Sequence, residues 1–392
     1  MAPMAPMAPM APMAPMAGTF MSRAHTLRLA FNRAKNIISL FLIKYLPRGM
    51  RRKYEFFMGI LRHIFFKWET RLSQRDTNRV VRPFEWGLDF ITNDAPKSDP
   101  KSFLIEYAER AVRESDNYHS FEPVTDYSLN DRHLTFTSPL RTIYPVNNTV
   151  HGWFFPKDPK RVVLVLPQWN ADAQSHISLC RMLNAFGVSA LRLSLPYHDL
   201  RMPEELTRAD YMLSSNLGRT LQSIRQAVLD ARAAIDWLQA RGYTKFAVLG
   251  TSIGSCVALI TAAHDARINV AVQNHVSSYF ADVVWRGIST RHVLNGLTGN
   301  ITLDDLRNIW MPISPQAYFH KLLGTGKASL LVHARYDYTF LPDLSLMVLE
   351  EYRRLGLPHS TFGLYCGHYT SGVFPFNVIL GAAMCRYISR NL

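Results

Sequence analysis

A serine between two glycines stands where a strand pattern gives way to a helix pattern. Residues 245–249 form a short apolar run, a Gly-x-Ser-x-Gly turn centred on Ser252 follows, and small residues at helical spacing continue to Ile260. A serine hydroxyl becomes a useful nucleophile only when it is exposed, faces a base and has donors nearby for an oxyanion. Glycines leave room for a sharp turn, and the helix that follows points N–H groups at developing negative charge. The spacing predicts a nucleophile elbow, although ordinary strand-to-helix turns also show this pattern.

A nucleophilic serine needs a histidine as base and a carboxylate that orients the histidine. Among the 14 histidines, His368 is the best placed, because it comes directly after the last predicted strand and a glycine precedes it. A purely structural histidine is the alternative at this position. Asp337 follows the preceding strand and is the preferred acid. Asp343 is the second candidate, but the proline before it favours the start of a helix.

The elements that must position these residues alternate between strand and helix from residue 161 to the C-terminus. Such alternation is typical of a parallel sheet covered by helices on both faces. Strand patterns between Tyr127 and Phe155 are broken by turn residues and predict antiparallel strands. The fold class is therefore α/β with a mostly parallel central sheet, whose ligands bind at the carboxyl ends of the strands. Predicted strands cover 161–166, 188–193, 245–249, 268–272, 328–333 and 360–365, and predicted helices cover 102–115, 174–186, 219–241, the run from the elbow to 264, 342–356 and 372–390.

An oxyanion hole needs two N–H donors close to the nucleophile. The amide of Ile253, the residue after the serine, is the first predicted donor. The second is expected from the loop after the strand 161–166, where Gln168 and Trp169 are the candidates. Both predicted donors are backbone groups, so the hole does not depend on particular side chains.

Three further side chains are candidates for the substrate pocket. Tyr197 and His198 follow one predicted strand and His275 follows another, so all three fall at the sheet edge where the serine lies. A polar residue at the rim of the site is the alternative interpretation for both histidines. Two segments are candidates for a cap over the site, namely the polar stretch 198–218 and the aromatic insertion 277–326.

The elbow and the chain order Ser252, Asp337, His368 resemble the α/β-hydrolase superfamily, from about residue 120 to the C-terminus. The loop at 166–172 and the stretch 195–198 look similar to a little-studied branch of abhydrolase-domain proteins near the dienelactone-hydrolase and acyl-peptidase groups. The resemblance implies serine hydrolase chemistry through an acyl-enzyme. The sequence departs from the superfamily in the oxyanion loop, where Pro-Gln-Trp stands in place of a common His-Gly pair.

The positive charge of the chain is concentrated at its N-terminal end. The 392 residues have a formal net charge of +14, and residues 1–82, with fifteen Lys and Arg against three acidic residues, hold +12 of it. The rest of the chain is nearly neutral, so its charge says little about the substrate. The sequence contains no nucleic-acid-binding motif, and no nucleic-acid partner is predicted. The four cysteines show no metal-binding spacing and are predicted to be free, buried thiols.

Two N-terminal stretches have apolar residues at helical spacing with basic residues nearby. They cover 27–46 and 57–68, and in the second the apolar side chains form one continuous stripe. Basic amphipathic helices bind membrane surfaces, so residues 20–70 are a candidate membrane-binding region. Two alternatives stay open: the stripes pack on the catalytic domain, or the Arg-rich start is an organelle-targeting segment. No run is long and apolar enough for a membrane span.

The sequence divides into four parts. Residues 1–18 repeat Met-Ala-Pro and are excluded from the fold, because a proline at every third position prevents a regular helix. Residues 19–82 form the basic helical extension, 83–119 a linker with one helix, and 120–392 the catalytic domain, with 277–326 as its candidate cap.

The sequence predicts a serine-dependent hydrolase of carboxylic esters that needs no metal and no organic cofactor. A small-molecule or lipid-like ester is the expected substrate. The same three residues would serve an acyltransferase or a peptidase-like amide hydrolase, and a non-catalytic binding protein is the least favoured alternative. A cytoplasmic location is predicted, with peripheral attachment to a membrane as an open question. The oligomeric state is not predicted.

Overall fold

The computed structural model describes residues 48–94 and 98–392, with side chains from residue 56 onward. The Met-Ala-Pro repeat and the first predicted amphipathic helix, at 27–46, lie outside the described residues. The chain divides into two compact units after Arg62, and the second unit is His63–Leu392. Among the described helices, none is both long enough and apolar enough to cross a membrane.

Nine strands of the described chain form one sheet. They are β1 Ser128–Asn130, β2 His133–Thr137, β3 Thr149–Phe155, β4 Arg161–Leu166, β5 Ser189–Leu193, β6 Lys245–Thr251, β7 Ile268–Asn274, β8 Ala328–Ala334 and β9 His359–Leu364. Their order in the sheet is β1-β2-β3-β5-β4-β6-β7-β8-β9. The pairs from β1 to β3, and the pair of β3 with β5, are antiparallel, whereas β4 to β9 run parallel. The elbow strand β6 therefore lies inside the parallel part.

Helices connect the parallel strands and cover both faces of the sheet. The described helices are α1 Arg48–Ser73, α2 Pro100–Arg113, α3 Ser115–Tyr118, α4 Ile177–Ala185, α5 Leu217–Ala240, α6 Ile253–His264, α7 Phe280–Arg286, α8 Arg291–Leu297, α9 Leu303–Ile309, α10 Pro342–Arg354 and α11 Phe376–Asn391. Short 3-10 turns lie at Leu88–Phe90, Pro145–Asn148, Asp199–Arg201, Ile288–Thr290, Met311–Ile313, Pro315–Ala317, Phe319–Leu322 and Thr370–Gly372. Helices α5 and α6 pack on one face, and α4 and α11 on the other.

Alternate residues of the central strands supply two separate apolar cores. In β4, Val162 and Leu164 belong to the core with α5 and α6, whereas Val163 and Val165 belong to the core with α4 and α11. Side chains alternate between the faces of a strand, and both faces are covered here, so the strand has a continuous apolar sequence. The strand ends that carry the candidate residues are thus held by a sheet buried on both sides.

Most predicted elements agree with the structure within a few residues. The strand 161–166 is confirmed, and the helix after the elbow ends at His264 as predicted. The segment 83–119 contains the predicted helix as α2, but its first part is packed on the protein. Phe84 and Trp86 make an edge-to-face contact at 4.9 Å and lie against the main core. The described start of this segment is therefore packed against the core.

The second amphipathic stripe lies on helix α1, and one part of it is buried while another part is exposed. Phe65 stacks on Tyr336 with 4.7 Å between the ring centroids, and Trp68 lies beside Phe376. Ile64, one residue before Phe65, has 51% of its surface accessible, against 9% for Phe65. The C-terminal part of this helix therefore packs on the protein, which is one of the alternatives to membrane binding.

Candidate active site

Strand β6 passes into helix α6 through a strained turn at Ser252. This residue has φ 57° and ψ −122°, a combination that residues other than glycine rarely adopt. A Cβ on Gly250 would lie 2.0 Å from Gly254 O, and a Cβ on Gly254 would lie 2.3 Å from Leu166 O. Only glycine fits at either position, which is why the motif has glycine on both sides. The turn places Ser252 in the wall of a cavity.

Asp337 follows β8 and is buried among hydrogen-bond donors. Its Oδ1 accepts the backbone N–H groups of Thr339 and Phe340, each at 2.7 Å. Its Oδ2 accepts Nδ1–H of His275 at 2.8 Å and Nδ1–H of His368 at 3.2 Å. Burial raises the pKa of Asp337, but its two histidine neighbours lower it by more, so the carboxyl keeps a pKa below its usual value. Asp337 is therefore an ionised carboxylate that serves two imidazoles.

His368 contacts this carboxylate and also a wall residue of the cavity. Its ring stacks on Phe340 with 5.4 Å between centroids and 8° between planes, and Phe340 lines the same cavity as Ser252. Burial lowers the pKa of His368, but Asp337 and Glu69 raise it, and the resulting pKa is above the usual value. No hydrogen bond joins the described side chains of Ser252 and His368. Such pairs are often apart in apo enzymes and tighten only when substrate binds.

The second candidate acid lies elsewhere. Asp343 is in the first turn of α10, where it is exposed and pairs with Arg286 at 2.7 Å. The helix start predicted from the preceding proline is confirmed. The carboxylate that reaches the histidine is therefore that of Asp337.

Two of the predicted oxyanion residues line the cavity beside Ser252. They are Ile253, at the start of α6, and Trp169, in the loop after β4. The Trp169 ring is held on its faces by stacking on His292, at 5.5 Å and 6°, and by the Arg208 guanidinium, 4.4 Å from the ring centroid. These contacts restrict the loop from which the second oxyanion donor is predicted.

His198 supports the same loop from inside the protein. Its ring is fully buried, and Nδ1–H donates to Pro196 O at 2.8 Å. The other nitrogen, Nε2, accepts the backbone N–H of Asn170 at 2.8 Å, next to Trp169. Burial lowers the pKa of His198 to about 3, so the ring is neutral and can accept this bond. His198 is not among the residues that line the cavity, and the predicted substrate contact is not supported by its position.

Tyr197 and Gln168 also stay outside the lining of the cavity. Tyr197 is fully buried, and its ring makes edge-to-face contacts with Tyr144 and Tyr211, each at 5.7 Å. Gln168 O accepts the N–H of Ala171 at 3.3 Å within the oxyanion loop.

His275, a candidate either for the substrate pocket or for a polar residue at its rim, lies behind the acid and is not among the residues that line the cavity. Its ring is buried, Nδ1–H donates to Asp337, and Nε2 lies 3.1 Å from Ser371 Oγ. The ligand atoms of His275, Asp337 and His368 lie within 4.8 Å of one another, close enough to share a metal ion. Hydrogen bonds between these same atoms account for the arrangement, so we assign no metal to it.

The sequence analysis did not single out Glu69, which reaches the histidine loop from helix α1. Its two carboxylate oxygens accept the N–H groups of Tyr369 at 2.9 Å and Thr370 at 2.7 Å, directly after His368. A Cβ on Gly367 would lie 2.3 Å from Glu69 Cδ, so the glycine permits this approach. Burial raises the pKa of the Glu69 carboxyl. The available signal was that Glu69 is the single acidic residue among the described side chains of a basic, apolar helix.

The cavity beside Ser252 is narrow and mostly apolar. Of its fifteen described lining residues, none is charged, and seven come from the insertion 277–326. The stretch 198–218 contributes one lining residue, Leu213. Of the two predicted cap segments, the insertion is therefore the one that forms the cavity. The insertion contributes Ser277, Phe280, Val283, Val284, Ser289, Thr290 and Pro315.

Comparisons with known proteins identify the fold. No protein-family model matches the sequence, and no curated protein matches it. The structure is similar to an acetyl xylan esterase from Paenibacillus sp. R4, with a TM-score of 0.52 and 16% identity over 78% of this chain and 98% of that chain. It is also similar to acetyl xylan esterase 1 from Thermoanaerobacterium sp. JW/SL YS485, with a TM-score of 0.51 and 13% identity over 75% of this chain and 95% of that chain.

A third similar structure belongs to a longer protein. The acylaminoacyl peptidase of Pyrococcus horikoshii matches with a TM-score of 0.52 and 16% identity over 70% of this chain, but the match spans only 42% of the peptidase chain. At such identities the likeness establishes the fold alone. Together with the sheet order and the elbow, it shows that this chain has the α/β-hydrolase fold.

Proposed function

We propose that the protein is a serine hydrolase that cleaves a carboxylic ester through an acyl-enzyme. Ser252 is the nucleophile, His368 the general base, and Asp337 the residue that orients the imidazole. The amides of Ile253 and Trp169 bind the oxyanion. The observation that carries the proposal is the strained turn that presents Ser252 in a cavity whose wall, through Phe340, contacts the paired imidazole.

The protonation states support this assignment of roles. Because Asp337 is ionised, His368 donates Nδ1–H to it and keeps a lone pair on Nε2 for the serine proton. Attack of Ser252 Oγ on the acyl carbon forms the acyl-enzyme, and His368 returns the proton to the departing alcohol. Water, which gives a proton to the same base, then attacks the acyl carbon; the carboxylic acid leaves, and His368 returns the proton to Ser252 Oγ. Substrate binding must bring the Ser252 and His368 side chains into hydrogen-bond contact, since they are not bonded to each other in the described structure.

A fluorophosphonate probe tests the nucleophile directly. The wild-type protein should be labelled, and Ser252→Ala should not be. Ser289→Ala is the matched control, because Ser289 lines the same cavity but lies outside the elbow. Labelling of Ser252→Ala at the wild-type rate would overturn the proposal, and loss of labelling in the control would show that the cavity itself had been damaged.

The cavity favours an uncharged and mostly apolar acyl group. None of its described lining residues carries a charge that could pair with a charged substrate, and burial of an unpaired charge is costly. Hydrolysis of p-nitrophenyl esters of increasing chain length should reveal a preferred acyl length, and a succinyl ester of similar size should react far more slowly. Acetyl esters belong in the series, since two similar structures are called acetyl xylan esterases. A peptide amide tests the amide alternative.

We also propose that helix α1 contacts a membrane surface. Phe57, Ile60 and Ile64 lie at positions i, i+3 and i+7 and are 56%, 42% and 51% exposed, on a helix rich in basic residues. Replacement of all three by serine should reduce flotation with anionic liposomes and leave hydrolysis of a soluble ester unchanged. Phe374→Ser, at another exposed phenylalanine, is the control. Equal flotation of the triple variant and the wild type would exclude this helix face as the contact.

A further inference from the structure

His275 is connected to each of the three elements of the proposed catalytic site. On the elbow side, Ser255 Oγ lies 2.5 Å from His275 O and 2.6 Å from Ser252 O, and its single O–H donates to one of these carbonyls. On the acid side, His275 Nδ1–H donates to Asp337 Oδ2 at 2.8 Å. The residue itself has φ 62°, which turns the chain out of β7 so that its ring points at the acid.

The third connection runs through Ser371 to the histidine loop. Ser371 Oγ lies 3.1 Å from His275 Nε2 and 2.6 Å from His368 O, and its single O–H donates to one of these two acceptors. With the bond from His368 Nδ1–H to Asp337, the four residues form a closed ring of contacts. Two of these contacts reach His368, one at its imidazole and one at its backbone carbonyl. A ring of this kind fixes both the position and the orientation of the imidazole.

We propose that His275 is a positioning residue that holds Asp337 and the His368 loop in register with the Ser252 elbow. The inference rests on the proposed serine hydrolase function and assigns to it a fourth residue, outside the triad. His275 would act through Asp337 and Ser371 without touching the substrate.

The surroundings of the two imidazoles distinguish their roles. The His275 ring is fully buried, is not among the residues lining the cavity, and has both nitrogens next to protein partners. The His368 side chain, in contrast, is 13% exposed, and its Nε2 has no hydrogen-bond partner among the described residues. His275 is therefore placed to orient and His368 to react.

The His368 loop needs such support because its flanks are exposed. Tyr365, before the loop, is 47% accessible and Phe374, after it, is 76% accessible. Glu69 holds the backbone of the loop from one side, and Ser371 ties it to His275 from the other. A shift of the imidazole by about 1 Å is enough to lower the rate of an enzyme about 100-fold.

Substitutions at both ends of the ring test the inference. His275→Asn keeps a side-chain N–H at the place of Nδ1 and tolerates positive φ, so it preserves the bond to Asp337. His275→Gln does not place its amide there, and Ser371→Ala removes the link to the loop while leaving His275 in place. His359→Gln is the control, because His359 lies at the far end of β9 and donates to Leu357 O. Each variant is checked for folding by its thermal unfolding midpoint.

The expected results form a pattern that packing alone would not produce. His275→Gln should lower kcat/KM by about 10- to 100-fold, Ser371→Ala by about threefold, and His275→Asn should recover most of the loss. His275→Gln and Ser371→Ala interrupt the same ring of contacts. The double variant that carries both substitutions should therefore be no slower than His275→Gln alone. The ionisable groups facing His368 are Asp337, His275 and Glu69. Without His275, Asp337 Oδ2 accepts from His368 alone, which raises the pKa of His368, so the acidic limb of the kcat/KM profile should move to higher pH.

Three outcomes would overturn the inference or redirect it. Wild-type kinetics and an unchanged pH profile in folded His275→Gln would show that His275 positions nothing. A loss as large as that of Ser252→Ala, together with residual activity in His368→Ala, would make His275 the base. The pKa of His368, followed by NMR of labelled histidines, gives a test that needs no turnover, and an unchanged value in His275→Gln would also overturn it. Absence of fluorophosphonate labelling in the wild type would instead contradict the proposed function.

Discussion

The elbow at Ser252 and the loop that carries His368 both lie at the ends of parallel strands in one sheet, but they are held by different kinds of contact. The elbow is built from five consecutive residues whose glycines fit against the backbone of α6 and β4. The loop is held by side chains from three remote parts of the chain, namely Glu69 in α1, His275 after β7 and Asp337 after β8.

This difference shows how the two halves of the proposed reaction depend on the fold. Backbone fit makes the nucleophile a local feature, which needs only the strand and the helix on either side. The base is a tertiary feature, because its position depends on buried charged groups that must all be in place. The elbow should therefore tolerate changes far away in the chain, whereas the base should be sensitive to them.

The largest expected effect comes from the acid that joins the two regions. Asp337→Asn keeps an oxygen for the N–H groups of Thr339 and Phe340 but turns an N–H₂ group toward the histidines. The imidazole then has the wrong tautomer, and for the proposed triad kcat should fall about 10⁴-fold. Steady-state hydrolysis of an activated ester measures this fall in kcat. Asp343→Asn is the matched control, and a comparable loss there would mean that the acid has been misassigned.

The second-largest effect is on the free energy of unfolding, when a glycine of the elbow is replaced. Gly254→Ala drives a Cβ to 2.3 Å from Leu166 O and 2.4 Å from Pro167 O, both of them backbone atoms that cannot move aside freely. Overpacking of this kind should lower the free energy of unfolding by about 1–3 kcal/mol. Gly372→Ala, in the histidine loop, meets open space and should change it by less than about 0.5 kcal/mol. Equal denaturation midpoints for the two variants would contradict the idea of a locally packed elbow.

A substitution in α1 should disturb the proposed base, His368, but not the proposed nucleophile, Ser252. Glu69→Gln replaces one of two acceptor oxygens by a donor, so one of the N–H groups of Tyr369 and Thr370 loses its partner. We expect kcat/KM to fall about tenfold, since an unpaired buried donor costs about 1–3 kcal/mol. The elbow geometry should remain, so the variant should still be labelled by a fluorophosphonate, only more slowly. Glu109→Gln, at an exposed glutamate of α2, should have no effect.

The smallest effect is a shift of the pH profile. The pKa of His368 is above its usual value, because Asp337 and Glu69 outweigh the effect of burial. Neutral His368 is the active form, so kcat/KM should fall as the pH drops through a midpoint above about 6.5. Glu69→Gln removes one of the two negative charges and should move this midpoint to lower pH, opposite to the shift expected for His275→Gln. An unchanged midpoint in Glu69→Gln would mean that Glu69 acts on the loop by geometry alone.

Much of the fold was predictable because its signals are short-range. The continuous apolar run at 161–166 marks a strand buried on both faces, and the glycines around Ser252 mark a turn that only glycine allows. The cap was only partly predictable, since aromatic helices in 277–326 and polar residues in 198–218 gave equal reason to expect one. In the structure, the insertion supplies seven of the fifteen residues that line the cavity, whereas His198 accepts a hydrogen bond from the loop after β4.

The α/β fold, the elbow and the candidate acid and base could be predicted from the sequence, because periodicity, glycine spacing and chain order can be read along the chain. The contacts around these residues depend on the tertiary structure. The sequence offers His275 as a candidate for the substrate pocket, but in the structure it is a partner of Asp337. Glu69 lies in an amphipathic helix, and its carboxylate binds the backbone of the His368 loop. These contacts join residues that are distant in the chain, and buried polar groups select such partners by geometry, which no local pattern records.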